Sequence, residues 1–267
     1  MPRVRLTFLG SGDAFCDWRV NYQNNALVET DQGLVLIDCG MTAVQSMREL
    51  GLSVHDVHTV LITHVHADHA CPSNLLLERF YGGPVGPRWA STRLLAPPDV
   101  LDPLRRSLRP FFDEVIGPEG GRVPAGLDGL LIAVPGHELR VGGVIFRFFP
   151  VPHVTGIDPV GGRWVDKPAY GLEMLHGGRR TVWSSDTTFQ RDWIVQTARD
   201  PDLNLLFHDC TFQPAFPGTV HTHFAQLSTL PADVQARIVL MHHVQVPDDV
   251  DVSAFAGAAA RHQVFDL

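Results

Sequence analysis

Four potential metal ligands crowd into one short stretch, Thr63-His64-Val65-His66-Ala67-Asp68-His69. Neutral imidazoles together with a carboxylate suit zinc, and also manganese or iron. A lone histidine is more often an ordinary polar residue than a ligand, but an H-x-H-x-D-H cluster packs donors at a spacing that chance explains poorly. With a loop following a strand, His64 and His66 face one ion while Asp68 and His69 turn toward a second. Two ions need more ligands, and a carboxylate able to bridge them is the natural centrepiece of a two-metal hydrolase. Asp186, in Trp183-Ser184-Ser185-Asp186-Thr187, follows an apolar strand directly and is the candidate bridge; its plainer role would be a turn or helix cap.

Two further histidines complete the sets. His153, in Pro150-Val151-Pro152-His153, joins His64 and His66, because Ala169-Tyr170-Gly171-Leu172 then continues as a strand leading toward Asp186. His137 is the alternative, in a Val134-Pro135-Gly136-His137 context that resembles the P-G-H turn of glyoxalase-like proteins. At the far end, Leu240-Met241-His242-His243 supplies a strand-terminal histidine for the second ion, with His242 preferred over His243. Two such ions lower the pKa of a bridging water, giving hydroxide near neutral pH, and polarise the reacting oxygen of a substrate.

The elements that must position these residues are legible as hydrophobic runs. Val4 to Leu9, Ala26 to Glu29, Leu34 to Ile37 and Thr59 to Ile62 read as strands, and Met41 to Leu50 as a helix ending at Gly51. The middle, from about Tyr81 to Pro150, is rich in Gly and Pro, with a helix over Pro103 to Phe112 and strands over Gly129 to Val134 and Val144 to Phe149. Strands follow at Tyr170 to Leu175, Thr181 to Ser184, Leu203 to Phe207 and Ile238 to Met241, with helices near Asp192 to Ala198 and Asp233 to Arg237. The last three of those strands each run into an acidic residue or a histidine. No internal repeat or linker-like tract divides the chain, so one domain over residues 1–267 is expected.

Composition narrows the function classes. The net charge of −8 argues against a broad basic surface for gripping long nucleic acid, while bound cations would still let the site take a small anion. The 4 cysteines are scattered with no C-x-x-C pair, so reduced thiols are expected. No eighteen-residue apolar run is present, and the start, MPRVRLTFLGSGDAF, lacks the hydrophobic core of a signal peptide, which points to a cytoplasmic protein with no membrane partner.

Taken in order, Phe8-Leu9-Gly10-Ser11-Gly12-Asp13, Leu36-Ile37-Asp38-Cys39-Gly40, the H-x-H-x-D-H motif, Ser185-Asp186-Thr187 and Leu240-Met241-His242 resemble the metallo-β-lactamase superfamily, and within it the branch of ribonuclease Z and related phosphodiesterases. The resemblance covers residues 4 to 243. It implies an α/β fold, the four-layer αββα metallo-β-lactamase sandwich, and a centre of two divalent ions, with zinc first and manganese or iron as alternatives. The segment Leu205-Leu206-Phe207-His208-Asp209-Cys210-Thr211-Phe212 resembles a ribonuclease Z segment whose acidic residue works with a downstream histidine in proton delivery to the leaving group. Asp209 matches that position, Asp standing for the family's usual Glu, with His221 as partner and His223 as the alternative. Asp38 is placed to hold ligand histidines from behind.

One departure matters. Bacterial ribonuclease Z inserts a long tRNA-gripping arm between the third histidine and the bridging aspartate, whereas here only the short stretch 154–185 intervenes. With the acidic charge, this makes tRNA an unexpected partner and leaves phosphodiester cleavage open. The expected activity is therefore metal-dependent hydrolysis of a small-molecule phosphodiester, such as a cyclic or small nucleotide, by a metal-bridging hydroxide, with Asp68, Asp209 and His221 as catalytic residues. Lactone, thioester or sulfate-ester hydrolysis on the same site is the alternative chemistry, and a non-catalytic metal- or ligand-binding protein the alternative class. The apolar start and Phe80 to Trp89 could serve as a homodimer face, as in relatives, or simply as core and loop.

Overall fold

The computed structural model describes residues 4–82, 92–112, 114–116, 122–124, 137–157, 164–214 and 219–267. The β-branched and apolar runs of the first third fold as β1 (Arg5–Gly10), β2 (Asn25–Thr30), β3 (Gly33–Ile37) and β4 (Val57–Leu61), with helix α1 (Ala43–Glu49) between β3 and β4. Helix α2 (Ser73–Tyr81), β5 (Arg93–Leu95) and helix α3 (Pro98–Phe112) follow. A hairpin of β6 (Glu114–Ile116) and β7 (Arg122–Pro124) leads to β8 (Glu138–Val141) and β9 (Val144–Pro150), then to a second hairpin of β10 (Thr155–Ile157) and β11 (Trp164–Asp166). The last third contains β12 (Tyr170–His176), β13 (Arg179–Trp183), α4 (Arg191–Ala198), β14 (Leu203–Asp209), α5 (Phe224–Leu227), α6 (Ala232–Gln235), β15 (Ile238–Met241), β16 (Gly257–Ala258) and β17 (Val264–Asp266).

These strands form two main sheets, one in the order β17-β1-β2-β3-β4-β5 and the other in the order β16-β15-β14-β13-β12-β9-β8. Their inner faces share one core. Because successive side chains point to opposite faces of a strand, Trp183, Phe207 and Met241 turn inward toward the face of the first sheet that carries Phe8 and its cross-strand neighbours Ala26, Ile37 and Leu61. Val182, Leu206 and Leu240, one residue earlier in each strand, turn outward to a separate cluster with Ile194, Leu227 and Val234 of the helices. The first sheet is covered in turn by Ala43, Val44 and Met47 of α1 and by Val100, Leu101, Leu104 and Leu108 of α3. The result is the expected helix–sheet–sheet–helix sandwich.

The direction of the strands decides where their ends emerge. β13, β14 and β15 are parallel neighbours, so the residues after Trp183, at Asp209 and after Met241 leave the sheet at one edge. β12 runs antiparallel to β13, and β9 antiparallel to β12, which brings the end of β9 to that same edge. In the first sheet β3 and β4 are parallel, so Asp38 and Thr63 emerge side by side.

Packing decides two points of the sequence reading. The helix expected from Pro103 begins at Pro98 and contains Pro103 and Pro110; its stripe of buried residues at 100, 101, 104, 108 and 112 has helical period, and burying that stripe outweighs the backbone bonds the prolines cannot make. The apolar start is interior, with Leu6, Phe8 and Leu9 buried in β1, so for that segment core is the reading that holds. The strand expected at 129–134 and most of the segment Phe80 to Trp89 lie outside the described residues.

The Phe8 ring stacks on Trp183 at 5.3 Å and meets Phe207 edge-on at 5.4 Å, joining the sheets through their most buried aromatic contact. Phe8→Ala is expected to cost about 3–5 kcal/mol of stability, read as a lower guanidinium midpoint with an unchanged slope.

Candidate metal centre

Asp38 organises the site from beneath. Its backbone lies beyond the end of β3 in the left-handed region, at φ 58°, which turns a fully buried carboxylate under the loop that follows β4. Oδ1 accepts the Thr63 backbone N–H at 2.8 Å, and Oδ2 accepts the Thr63 hydroxyl at 2.8 Å and His69 Nδ1 at 2.8 Å. Holding Nδ1 in this way fixes the ring so that His69 Nε2 points outward, the role a carboxylate behind a ligand histidine usually plays. His64 is held likewise, its Nδ1 donating to Thr63 Oγ1 at 3.1 Å, and His153 Nδ1 donates to the Val220 carbonyl at 3.0 Å.

The freed nitrogens and carboxylate oxygens converge in two groups. In the first, His66 Nδ1 is 3.2 Å from both His64 Nε2 and His153 Nε2, and each of the latter two is 3.7 Å from Asp186 Oδ2. In the second, His69 Nε2 is 3.2 Å from Asp68 Oδ2 and 3.3 Å from Asp186 Oδ1, while His242 Nε2 is 3.4 Å from Asp68 Oδ2 and 3.3 Å from Asp186 Oδ2. Asp186 belongs to both. Donors around a tetrahedral cation at about 2.0–2.1 Å stand roughly 3.3 Å apart, so the separations match a shell drawn around an ion. His69 Nε2 and Asp186 Oδ1 are moreover buried with no hydrogen-bond partner, an expensive arrangement for a site meant to hold nothing. The donor sets fit divalent cations.

Charge argues the same way. Asp38, Asp68, Asp186 and Asp209 are all buried. In the metal-free protein burial alone would lower His69 and His242, but Asp186, Asp68 and Asp38 around the first, and Asp186 and Asp209 around the second, drive both well above the usual histidine range. Burial, with neighbouring histidines adding to it, instead lowers His64, His66 and His153 into the neutral form that binds metal.

Beside the clusters, Asp209 ends β14 and its Oδ2 accepts His221 Nδ1 at 3.0 Å and the Thr187 backbone N–H at 2.9 Å. Burial pushes the Asp209 carboxyl up, but the charge and hydrogen bond of His221 outweigh it and hold the group at about 2. The His221 imidazole is raised in exchange, against its own burial. Its ring stacks on His242 at 4.8 Å, and it lines a cavity of about 600 Å³ together with His66, Asp68, Asp186 and His242.

The structure thus brings together His64, His66, Asp68, His69, His153, Asp186 and His242, with Asp209 and His221 adjoining. It leaves the alternatives aside. His137 packs its ring on Tyr170 at 5.3 Å, His243 is buried against Phe212, and His223 is occupied by the Gln213 carbonyl and Thr219 Oγ1. Sequence reasoning missed Gly40, where a Cβ would stand 2.0 Å from the Asp68 carbonyl oxygen, and the left-handed Ser185 and His242, at φ 55° and 62°. The glycine directly after Asp38-Cys39 was the available signal; the two dihedrals had none.

The family model described as Anti-Pycsar protein Apyc1 matches residues 4–265. The chain belongs to that family. One relative, the Anti-Pycsar protein Apyc1 of Saccharibacillus brassicae, is 30% identical over 247 residues, covering 90% of each chain. Among solved structures, the metallo-β-lactamase fold protein YhfI from Bacillus subtilis superposes with a TM-score of 0.71 at 14% identity, covering 99% of this chain and 100% of its own. The short form of human tRNase Z superposes with a TM-score of 0.63 at 16% identity, covering 98% of both chains. The Apyc1-family chain therefore has the metallo-β-lactamase fold shared with ribonuclease Z, as its motifs suggested.

Two outcomes follow for this Apyc1-family site. Because the carboxylates around them raise His69 and His242 above the ordinary histidine range in the metal-free protein, divalent metal is expected to bind with proton release, seen by calorimetric titration in buffers of different ionisation enthalpy, and with an affinity that falls as pH is lowered. Asp38→Asn will weaken metal binding by about 10–100-fold while leaving every first donor in place, measured by competition with a chelating dye.

Proposed function

We propose that the protein hydrolyses a cyclic or other small nucleotide phosphodiester at a centre of two divalent ions, zinc being the ion best suited to this donor set and manganese or iron the alternatives. His64, His66, His153 and Asp186 would hold one ion, and Asp68, His69, Asp186 and His242 the other. The observation that carries the reading is the Asp209–His221 pair beside the shared carboxylate: His221 Nδ1 lies 3.0 Å from Asp209 and 3.9 Å from Asp186 Oδ2, on the wall of the cavity.

When bound, the ions supply Lewis acidity at the phosphoryl group and lower the pKa of water at the site. The chain's own contribution is proton delivery. Asp209 fixes the His221 ring through Nδ1, leaving Nε2 as the donor toward a departing alkoxide, and stabilises the charged imidazolium that carries the proton. Such a donor matters for a phosphodiester with a poor alkoxide leaving group, as in a nucleotide, and favours this chemistry over thioester hydrolysis, whose thiolate departs without a proton. The enzyme is a metal-dependent phosphodiesterase on this reading, with tRNA disfavoured as a substrate: the stretch 154–185, where ribonuclease Z carries its arm, is short and its described residues form the β10–β11 pair and the sheet strands β12 and β13.

We read residues 1–267 as one domain, supported by the single core cluster that draws on both sheets. No helix among the described residues is long and apolar enough to cross a membrane.

The test is turnover of a 3′,5′-cyclic nucleotide and of bis(p-nitrophenyl) phosphate by the metal-loaded protein, beside a lactone and a sulfate ester. Asp186→Ala should abolish both phosphodiesterase activities. His221→Ala and Asp209→Asn should lower kcat on the cyclic nucleotide by about 10²–10⁴-fold but act much less on the nitrophenyl ester, whose leaving group departs without a proton. Selective turnover of the lactone or sulfate ester would overturn the substrate class.

A further inference from the structure

The cavity has a second wall that catalysis does not use. Besides the ligand residues it is lined by Asp13, Phe15, Gln23 and Met41. Phe15 is 95% exposed and Met41 50% exposed, and Phe15 is more exposed than any other large hydrophobic side chain among the described residues, an unusual cost for a large aromatic ring. The loop bearing Phe15 is nonetheless built, not loose. Its base is pinned by Gly12 N–H to the Tyr22 carbonyl at 2.8 Å and Asn24 N–H to the Gly12 carbonyl at 2.9 Å. Phe15 N–H is fixed by Asp13 Oδ1 at 2.9 Å, and Asn21 ties the loop to Ser11 and to the Val244 carbonyl beyond β15.

Gln23 gives a second, independent sign of a ligand. It is 1% exposed, its Oε1 is taken by the Thr42 backbone N–H, and its Nε2 is buried on the cavity wall with no partner. A buried donor left without a partner beside a cavity is a place where a ligand oxygen is wanted. None of the described residues lining the cavity is lysine or arginine, so past the ligand residues the wall is suited to a neutral flat group and not to further phosphates.

We propose that Phe15 is the stacking platform for the nucleobase of the substrate, with the Gln23 amide donating to a sugar–phosphate oxygen; this rests on the phosphodiesterase reading above and specifies how its substrate is recognised. A nucleobase offers a flat face to an exposed aromatic ring whatever its sequence identity, so this wall would select for a nucleoside over a bare phosphodiester without strong discrimination among bases.

The experiment compares 3′,5′-cyclic AMP with the base-free methyl riboside 3′,5′-cyclic phosphate on metal-loaded wild type, Phe15→Ala and Phe15→Tyr, together with calorimetric binding of a cyclic AMP phosphorothioate. Phe15→Ala should raise KM for cyclic AMP roughly ten-fold with little change in kcat, leave the base-free substrate unmoved and weaken phosphorothioate binding in step, while Phe15→Tyr restores all three. An equal effect on the base-free substrate, or none on cyclic AMP, overturns the proposal. So does a loss on both substrates accompanied by dimer dissociation in sedimentation, which would make Phe15 a contact between copies of the chain. Absence of turnover by the wild type, with binding still dependent on Phe15, removes the phosphodiesterase reading and leaves the platform standing.

Discussion

Buried negative charge is the constraint around which this protein is built. Asp68, Asp186 and Asp209 are buried close together at the base of the cavity, with Asp38 directly behind them. Carboxylates in such surroundings are tolerated only with cations or protons close by. In the metal-free protein these carboxylates raise His69 and His242 well above the usual histidine range, so the two rings help to offset the buried charge; on the proposed reading the same rings would serve as neutral donors to a divalent ion.

The second constraint is positional. Donors contributed by residues as distant as His64 and His242 meet only because parallel strands of two facing sheets discharge their ends at a common edge. At that edge the backbone is bent into left-handed geometry at Asp38, Ser185 and His242, a conformation that costs energy for residues other than glycine. The strain coincides with the side chains that must turn out of their strands toward the centre. The rigid aromatic contact between Phe8 and Trp183 lies in the core behind these turns and resists their relaxation.

A division of labour follows across the cavity. Its ligand side carries charge, with the hydrogen-bonded Asp209–His221 pair beside it, to which the proposed function gives the proton. The side formed by the Gly12–Asn24 loop carries apolar surface and a single unmatched amide. Chemistry and recognition are thereby assigned to different elements, so the recognition wall could change among relatives without disturbing the donor set.

How much of this was legible in the chain depends on the range of the interaction. The H-x-H-x-D-H motif, the strand runs preceding Asp186 and His242, and the layered α/β order are local patterns, and the sequence by itself determined them, because ligand spacing and two-residue periodicity are written in adjacent positions. The resemblance narrowed the partner of Asp209 to His221 or His223. The choice between His153 and His137, between His242 and His243, and between His221 and His223 belonged to the tertiary structure alone. For His242 and His243 the outcome turns on which way a side chain points just past β15, where a shift of one residue reverses the face; the other two pairs depend on how loops far apart in sequence fold back to the strand ends. The Phe15 and Gln23 wall lay equally beyond sequence: an exposed phenylalanine and an unpaired amide are defined by what does not pack against them, and only the folded chain reveals that.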